Sequence, residues 1–190
     1  LAGFATQADP FEPNNFEIHV VRIDPGPPAA VETMLCLPTE YPQGLAGASD
    51  GSIWTTWLPS VRFNPATLAF ESILLDDLYA AGLDSVSDVA IDSVDGAVYF
   101  SGNHFEASTL STVATVIRRD PGTVAYAPYL EEPSLRGFGE IAVDAAGSIV
   151  AVGDSHSGSD RVARIDPGAS PSIAFFDQAG GPVDVAIGDF

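Results

Sequence analysis

Short hydrophobic segments alternate with turn-forming residues along most of this chain. Between residues 140 and 176, apolar segments are separated by Ala146-Gly147, by the polar loop Gly153–Asp160 and by Pro167-Gly168. Glycine supplies the positive φ angles, and proline the fixed φ angle, that tight hairpins need. β-Branched and aromatic residues fill the segments between the turns, as half-buried strands prefer. The pattern predicts an antiparallel unit of four strands: Glu140–Asp144, Ile149–Val152, Arg161–Ile165 and Ser172–Phe176.

Two motifs recur along the chain and define an internal repeat. The first is an arginine followed two residues later by Asp-Pro or Asn-Pro, and its four copies begin at Arg22, Arg62, Arg118 and Arg164. Successive copies therefore begin 40, 56 and 46 residues apart. The second motif is a short apolar strand that leads to a glycine turn, such as Asp88–Asp92 before Gly96. A period of roughly 40 to 50 residues is typical of repeats that each form one supersecondary unit.

These motifs divide a single repeat domain, residues 1–190, into four units. Asp184–Gly188 begins a unit that Leu1–Ala5 would continue, so one unit is split between the two ends of the chain. Three arrangements fit this split: the termini close the array, the chain is part of a larger array, or the next copy completes the split unit in a head-to-tail polymer. The units span approximately residues 184–190 plus 1–37, 44–75, 88–130 and 140–177.

One segment carries a helical pattern as well as a strand pattern. Between Ala69 and Leu83, apolar residues recur close to helical spacing, and Gly82 is a candidate helix cap. The repeat instead places the outer strand of its unit at Leu68–Leu75. We therefore predict a strand there, followed by a helical turn around Asp77–Ala81.

Parts of the repeat resemble two known families. Val150–Asp154 followed by Arg161–Asp166 is similar to the strand–loop–strand core of the NHL repeat. The run from Leu37 through Gly44 to Trp54 resembles the linker of virginiamycin B lyase-like repeats. The resemblance implies an all-β fold, a β-propeller of about four four-stranded repeats, which is either closed by its termini or part of a larger propeller or assembly. It says little about activity, because such repeats serve many functions.

Charge and composition limit the partners. The chain has 26 acidic residues against seven basic ones, all of them arginine, and its net charge is −19. Such a charge repels nucleic acid and anionic membranes, and it favours divalent cations and cationic partners. No apolar run approaches the roughly 20 residues that span a bilayer, so membrane insertion is not expected. Thr6-Gln7-Ala8 has the small-x-small pattern of a signal-peptidase site, which favours a secreted, extracellular or cell-surface protein.

Candidate binding residues lie in the predicted loops between second and third strands. Two of these loops, Gly102–Ala114 and Gly153–Asp160, contain histidines beside carboxylates. If the loops converge, these side chains suit a divalent cation such as Ca²⁺ or Mg²⁺, but polar loops also hold such residues without any ligand. Trp57, in a shorter loop, is a candidate platform for stacking a sugar. The candidate ligand-binding residues are His104, Glu106, Asp154, His156, Asp160 and Trp57.

The residues provide no catalytic set. Ser155, His156 and Ser157 are adjacent in one loop, whereas the members of a catalytic triad come from separate elements that converge. The recurring arginines predict structural pairs with carboxylates on neighbouring strands, and Trp54 and Tyr99 are predicted to be buried. The leading hypothesis is therefore a non-catalytic binding or structural module with a protein or glycan partner. The alternatives are a metal-dependent lactonase-like or lyase-like enzyme and a self-assembling, polymer-forming subunit.

Overall fold

A computed structural model of the protein describes residues 2–7, 16–24, 30–39, 44–56, 60–73, 75–168 and 170–177. Within these ranges the chain is all-β, apart from one short helix. The chain forms two compact units, Leu1–Ile73 and Leu74–Phe190. The prediction of an all-β chain is therefore confirmed.

The first unit contains two antiparallel sheets whose strands follow chain order. Strand β2 ends with the first arginine motif, so the first sheet contains the second to fourth strands of a repeat. Asp184–Gly188, the predicted first strand of that repeat, lies outside the described residues. The strands of the first sheet are β1 (Ala2–Gln7), β2 (Phe16–Asp24) and β3 (Ala30–Thr39). Those of the second sheet are β4 (Leu45–Gly47), β5 (Ile53–Thr55), β6 (Val61–Asn64) and β7 (Ala69–Ser72).

The second unit begins with the helix α1 (Leu75–Ala80) and continues with two four-stranded antiparallel sheets. Within each sheet, every strand pairs with the next strand in the chain, as the repeat predicts. The first of these sheets contains β8 (Ser85–Ile91), β9 (Val98–Glu106), β10 (Ser111–Arg119) and β11 (Tyr126–Glu132). The second contains β12 (Leu135–Val143), β13 (Ile149–Ser155), β14 (Arg161–Asp166) and β15 (Ser172–Asp177).

Glycine turns join the first two strands of each four-stranded sheet. The φ angles of Gly51, Gly96 and Gly147 are 81°, 79° and 81°, in the left-handed region that glycine adopts without strain. Asp144 shows how the turn closes, because its Oδ1 accepts the backbone N–H groups of Ala146 and Ser148, each at 2.8 Å. The predicted hairpin turns are therefore confirmed at these positions.

The hydrophobic core of the second unit lies between its two sheets. Strand β12 packs against β8, β9 and β10. Leu135 and Phe138 from β12 are buried in this core together with Tyr99 from β9. Tyr99 is 1% exposed, and Trp54, at the matching position of the first unit, is 4% exposed. Both second-strand aromatics are thus buried, as predicted.

Two predicted loops are wrong, because the strands on either side of them are longer than expected. Strands β9 and β10 extend through most of the predicted loop Gly102–Ala114, so only residues 107–110 form the turn. Within the extension His104 pairs with Val113 in the ladder. Likewise, β13 continues to Ser155 and shortens the predicted loop Gly153–Asp160. The backbone ladder continues past the apolar core, because its hydrogen bonds do not depend on hydrophobic side chains.

The ambiguous segment contains both predicted structures. Strand β7 ends at Ser72, earlier than the predicted end at Leu75, and α1 begins at Leu75. Leu78 on this helix is fully buried, whereas Tyr79 is 45% exposed. Gly82 follows the helix with a φ angle of 90°, as expected of a glycine at a helix C-terminus. The predicted helical turn is therefore confirmed, and the strand before it is shorter than predicted.

Candidate functional site: a serine-lined cleft

The hairpin between β13 and β14 forms a polar cleft at one end of the β12–β15 sheet. Strand β13 ends at Ser155, the chain turns at Gly158 with a φ angle of 82°, and β14 begins at Arg161. The backbone N–H of Gly158 donates to the carbonyl of Ser155 at 3.0 Å and closes the turn. The cleft has a volume of about 450 Å³ and is lined by Ser134, Ser155, His156, Ser157, Ser159, Asp160 and Arg161.

Three of these serines form a triangle of hydroxyl groups. Ser155 Oγ lies 2.9 Å from Ser157 Oγ and 3.3 Å from Ser159 Oγ, and the latter two atoms are 3.3 Å apart. Ser155 is buried, and its Oγ also accepts the backbone N–H of Ser159 at 3.0 Å. Ser155 therefore holds the loop in shape, whereas Ser157 and Ser159 are exposed at the cleft.

Charged and aromatic groups surround the triangle. The guanidinium carbon of Arg161 lies 4.1 Å from the ring centroid of Phe175, which is a cation–π contact. Arg136 Nη2 donates to the carbonyl of His156 at 3.1 Å and ties β12 to the loop. Of the residues predicted from the sequence, His156 and Asp160 line the cleft, and Asp154 is exposed on the preceding strand.

The other predicted pair, His104 and Glu106, lies on the β9–β10 hairpin and has local partners. His104 Nδ1 is 3.2 Å from Asp84 Oδ2, although this nitrogen makes no hydrogen bond. Glu106 Oε1 accepts the backbone N–H of Ser108 at 3.0 Å, and this bond is the main reason why the pKa of Glu106 is lowered. Asp84, which also accepts the N–H of Phe105, was not among the predicted residues.

The predicted metal ligands do not gather into a site in the described part of the chain. There, no three His, Cys, Asp or Glu side chains lie close enough together to hold a metal ion. His104 and Glu106 belong to one hairpin, and His156 and Asp160 belong to another. Trp57, the predicted stacking platform, lies outside the described residues.

Three of the recurring arginines, Arg62, Arg118 and Arg164, pair with carboxylates in the described part of the chain. Each has one partner at the turn between the first two strands of its sheet, whereas the prediction placed the partners on neighbouring strands. Arg118 Nη2 is 3.0 Å from Asp95 in the β8–β9 turn, and its Nε is 2.7 Å from Asp120 at the end of its own strand. Arg62 makes the corresponding contact with the turn residue Asp50 at 2.8 Å. It also lies 3.6 Å from Glu71 on the neighbouring strand β7, the kind of partner predicted.

A second polar cluster joins the two sheets of the second unit and was not predicted. Asp88 on β8 is 7% exposed, and its Oδ2 accepts the backbone N–H of Ile141 on β12 at 2.9 Å. Burial is the main reason why the pKa of Asp88 is raised to about 7. The N–H groups of Ile141 and Val89 oppose this shift, while the charge and hydrogen bond of Glu140 add to it. The available sequence signal was the recurrence of an acidic residue at the start of the apolar strand, at Asp88, Glu140 and Asp184.

Comparisons of the chain with protein-family models, with curated proteins and with solved structures give no match. Among the described residues, no helix is long and apolar enough to cross a membrane.

Proposed function

We propose that this chain is a non-catalytic binding module of propeller-type repeats, secreted or displayed at the cell surface, whose β13–β14 cleft binds a neutral glycan. The observation that carries the proposal is the triangle of serine hydroxyls, which is set beside a carboxylate and a guanidinium in an open cleft. Regular sheets with a specialised hairpin are a common design, because binding residues concentrate on loops that a rigid scaffold positions. The resemblance to NHL and virginiamycin B lyase-like repeats supports the part of this proposal that concerns propeller-type repeats.

The chemistry of the cleft suits a polyhydroxylated ligand. Each serine hydroxyl both donates and accepts hydrogen bonds, the carboxylate of Asp160 accepts them, and the guanidinium of Arg161 donates them. A sugar presents donors and acceptors together on each hydroxyl, so it can replace the water that solvates these groups. The net charge of −19 disfavours anionic ligands, so a neutral glycan fits the cleft better than an acidic one.

The bonding of the serines also favours binding over catalysis. A serine nucleophile is activated by a hydrogen bond to a general base, usually histidine. Ser155 and Ser157 hydrogen-bond each other at 2.9 Å, and Ser155 Oγ accepts a backbone N–H as well. These hydroxyls are thus arranged as hydrogen-bonding partners for a ligand.

Screening of the intact chain against an array of neutral oligosaccharides, followed by calorimetry on any ligand found, tests the proposal. The informative variant is S157A/S159A, which keeps Ser155 and therefore the shape of the loop. Loss of two hydrogen bonds worth about 0.5–1.5 kcal/mol each predicts binding weaker by about 5- to 150-fold.

A matched control is available on the neighbouring sheet. Thr109 Oγ1 and Ser111 Oγ lie 2.7 Å apart at the β9–β10 hairpin, so T109A/S111A removes a similar hydroxyl pair outside the cleft. This control is expected to bind like the original chain, and circular dichroism checks that both variants fold. The proposal is wrong if no neutral glycan binds, or if S157A/S159A binds as tightly as the control.

A further inference from the structure

Two carboxyl groups, one buried and one half-buried, lie where β8 and β12 pack together. Asp88 is 7% exposed, and Glu140, which directly precedes the residue whose N–H binds Asp88, is half-buried. The contact connects residues 52 positions apart in the chain (88 and 140), on strands of different sheets. A second hydrogen bond between the sheets lies nearby, from Ser101 Oγ on β9 to the carbonyl of Gly139 on β12 at 2.6 Å.

Irregularities in both strands coincide with the pair. The β8 ladder shifts register between Val86 and Asp88, and the β12 ladder shifts between Phe138 and Ile141. Such bulges leave backbone groups without their ladder partner and redirect side chains. Here the N–H of Ile141 points to Asp88 Oδ2 at 2.9 Å, so the carboxyl group of one sheet satisfies a buried backbone donor of the other. The pair therefore bridges the two sheets directly.

The surroundings of the pair contain little that offsets a second negative charge. Glu140 is the titratable side chain that acts on Asp88 from β12. On β9, the residue opposite Asp88 is Ser101, and on β13 the residues opposite the bulge of β12 are Gly153 and Ala151. Within the described chain, the backbone N–H of Ile141 donates to Asp88 at 2.9 Å. Two carboxylates this close cannot both ionise without a large electrostatic cost.

We propose that Asp88, beside Glu140, keeps a proton in the folded chain and acts as a proton-operated clip between the β8–β11 and β12–β15 sheets. With the proton present, Asp88 is neutral while its Oδ2 holds the N–H of Ile141. When the proton leaves to solvent, the buried charge of Asp88 faces the half-buried Glu140, and the contact between the sheets weakens. The protein thereby gains a pH-sensitive contact in its core, independent of the serine-lined cleft.

The direction of the pH effect follows from linkage. Burial raises the pKa of Asp88 to about 7, above the ordinary value of 3.8 that it has when unfolded. The folded chain therefore keeps a proton that the unfolded chain has lost, and stability falls as pH rises between these two values. Ordinary carboxylates are ionised by about pH 6. A decline that continues from about pH 6 to about pH 8 and then levels off is consequently the mark of Asp88.

Urea unfolding of the full chain at pH 6, 7, 8 and 9 tests the clip. Asp88→Asn keeps an oxygen to accept the Ile141 N–H but cannot ionise, and Glu131→Gln removes an exposed carboxylate of β11 as the matched control. The expected result is a urea midpoint that falls with pH in the original chain and in E131Q, but stays level in D88N. All three proteins keep the same histidines, so histidine titration cannot produce the difference.

A direct titration covers the case in which D88N does not fold. The ¹³C resonance of the Asp88 carboxyl group in the original chain is expected to titrate near neutral pH, and Glu140→Gln is expected to lower its midpoint. In the urea experiment, the proposal is overturned if the unfolding midpoint of D88N falls with pH in parallel with that of the original chain. An Asp88 carboxyl that titrates below about pH 5 overturns it equally, because ordinary aspartates titrate near pH 4.

Discussion

Gly102 is the position where adding a single methyl group should damage the second unit most clearly. It lies on β9 opposite Val86 of β8. A Cβ at this position would overlap the backbone carbonyl oxygen of Ser85 and would lie 2.8 Å from its carbonyl carbon. It would also lie 3.2 Å from Leu83 Cδ1, whose side chain is fully buried. Neither neighbour can rotate away, so Gly102→Ala must push β8 and β9 apart.

The expected cost follows from that displacement. Overpacking of a tight site costs about 1–3 kcal/mol, and each weakened ladder hydrogen bond adds about 1 kcal/mol. The ladder here includes the bond from Asp84 N to the carbonyl of Asn103 at 2.8 Å. We therefore expect Gly102→Ala to lower the free energy of unfolding by about 2–4 kcal/mol, and Tm by about 10 °C.

Gly139 provides the matched control, since it also lies in a strand of the same unit. A Cβ there would meet only the carbonyl oxygen of Val152 at 3.7 Å, an ordinary contact. Gly139→Ala should leave stability within about 1 kcal/mol, with a small gain from the reduced freedom of the unfolded chain. Urea unfolding followed by circular dichroism measures both variants. The reasoning is refuted if Gly102→Ala is as stable as the original chain, or if the two variants lose equal stability.

Two further pairs of substitutions test the packing of the second unit. Leu135→Ala leaves a cavity at a fully buried site in the core and should lower the free energy of unfolding by about 2–5 kcal/mol. Its control, Leu110→Ala, changes a residue that is 78% exposed and should cost less than about 0.5 kcal/mol in the same urea assay. Similar losses in the two variants would contradict the core assignment. Arg118→Ala removes contacts with Asp95, Asp120 and the Tyr99 ring and should cost about 1–2 kcal/mol. Arg118→Lys should restore only part of this loss, because an ammonium group cannot reach both carboxylates as the guanidinium does; full restoration would show that charge alone matters.

Turn chemistry explains why the hairpins were predictable from the sequence. Gly96 and Gly147 adopt positive φ angles that most residues avoid, so their positions mark turns regardless of distant contacts. The four strands of the unit from residue 140 to residue 176 therefore have nearly the predicted centres. The helical turn after β7 was also predictable from local sequence, because apolar residues recur there at helical spacing and Gly82 follows them.

The ends of strands were less predictable, because a polar side chain indicates that a residue is exposed but not whether its backbone pairs with a neighbouring strand. His104 and Glu106 look like loop residues, yet both lie on β9 within a regular ladder. Ser155 ends β13 in the same way and is buried, although serine is usually exposed. As a consequence, the cleft residues were located in the correct hairpin, but the serine triangle within it was not predicted.

The recurring arginine and the recurring acid differ in how far away their partners lie. Arg118 finds Asp120 two residues away and Asp95 within the same sheet, so its structural role could be predicted from one repeat alone. Asp88 instead finds Glu140 and the N–H of Ile141 in another sheet. A polar residue that recurs on an otherwise apolar strand must have its hydrogen bonds satisfied within the core. When the repeat itself offers no partner, the partner is expected in the neighbouring repeat, as the bond from the Ile141 N–H to Asp88 illustrates.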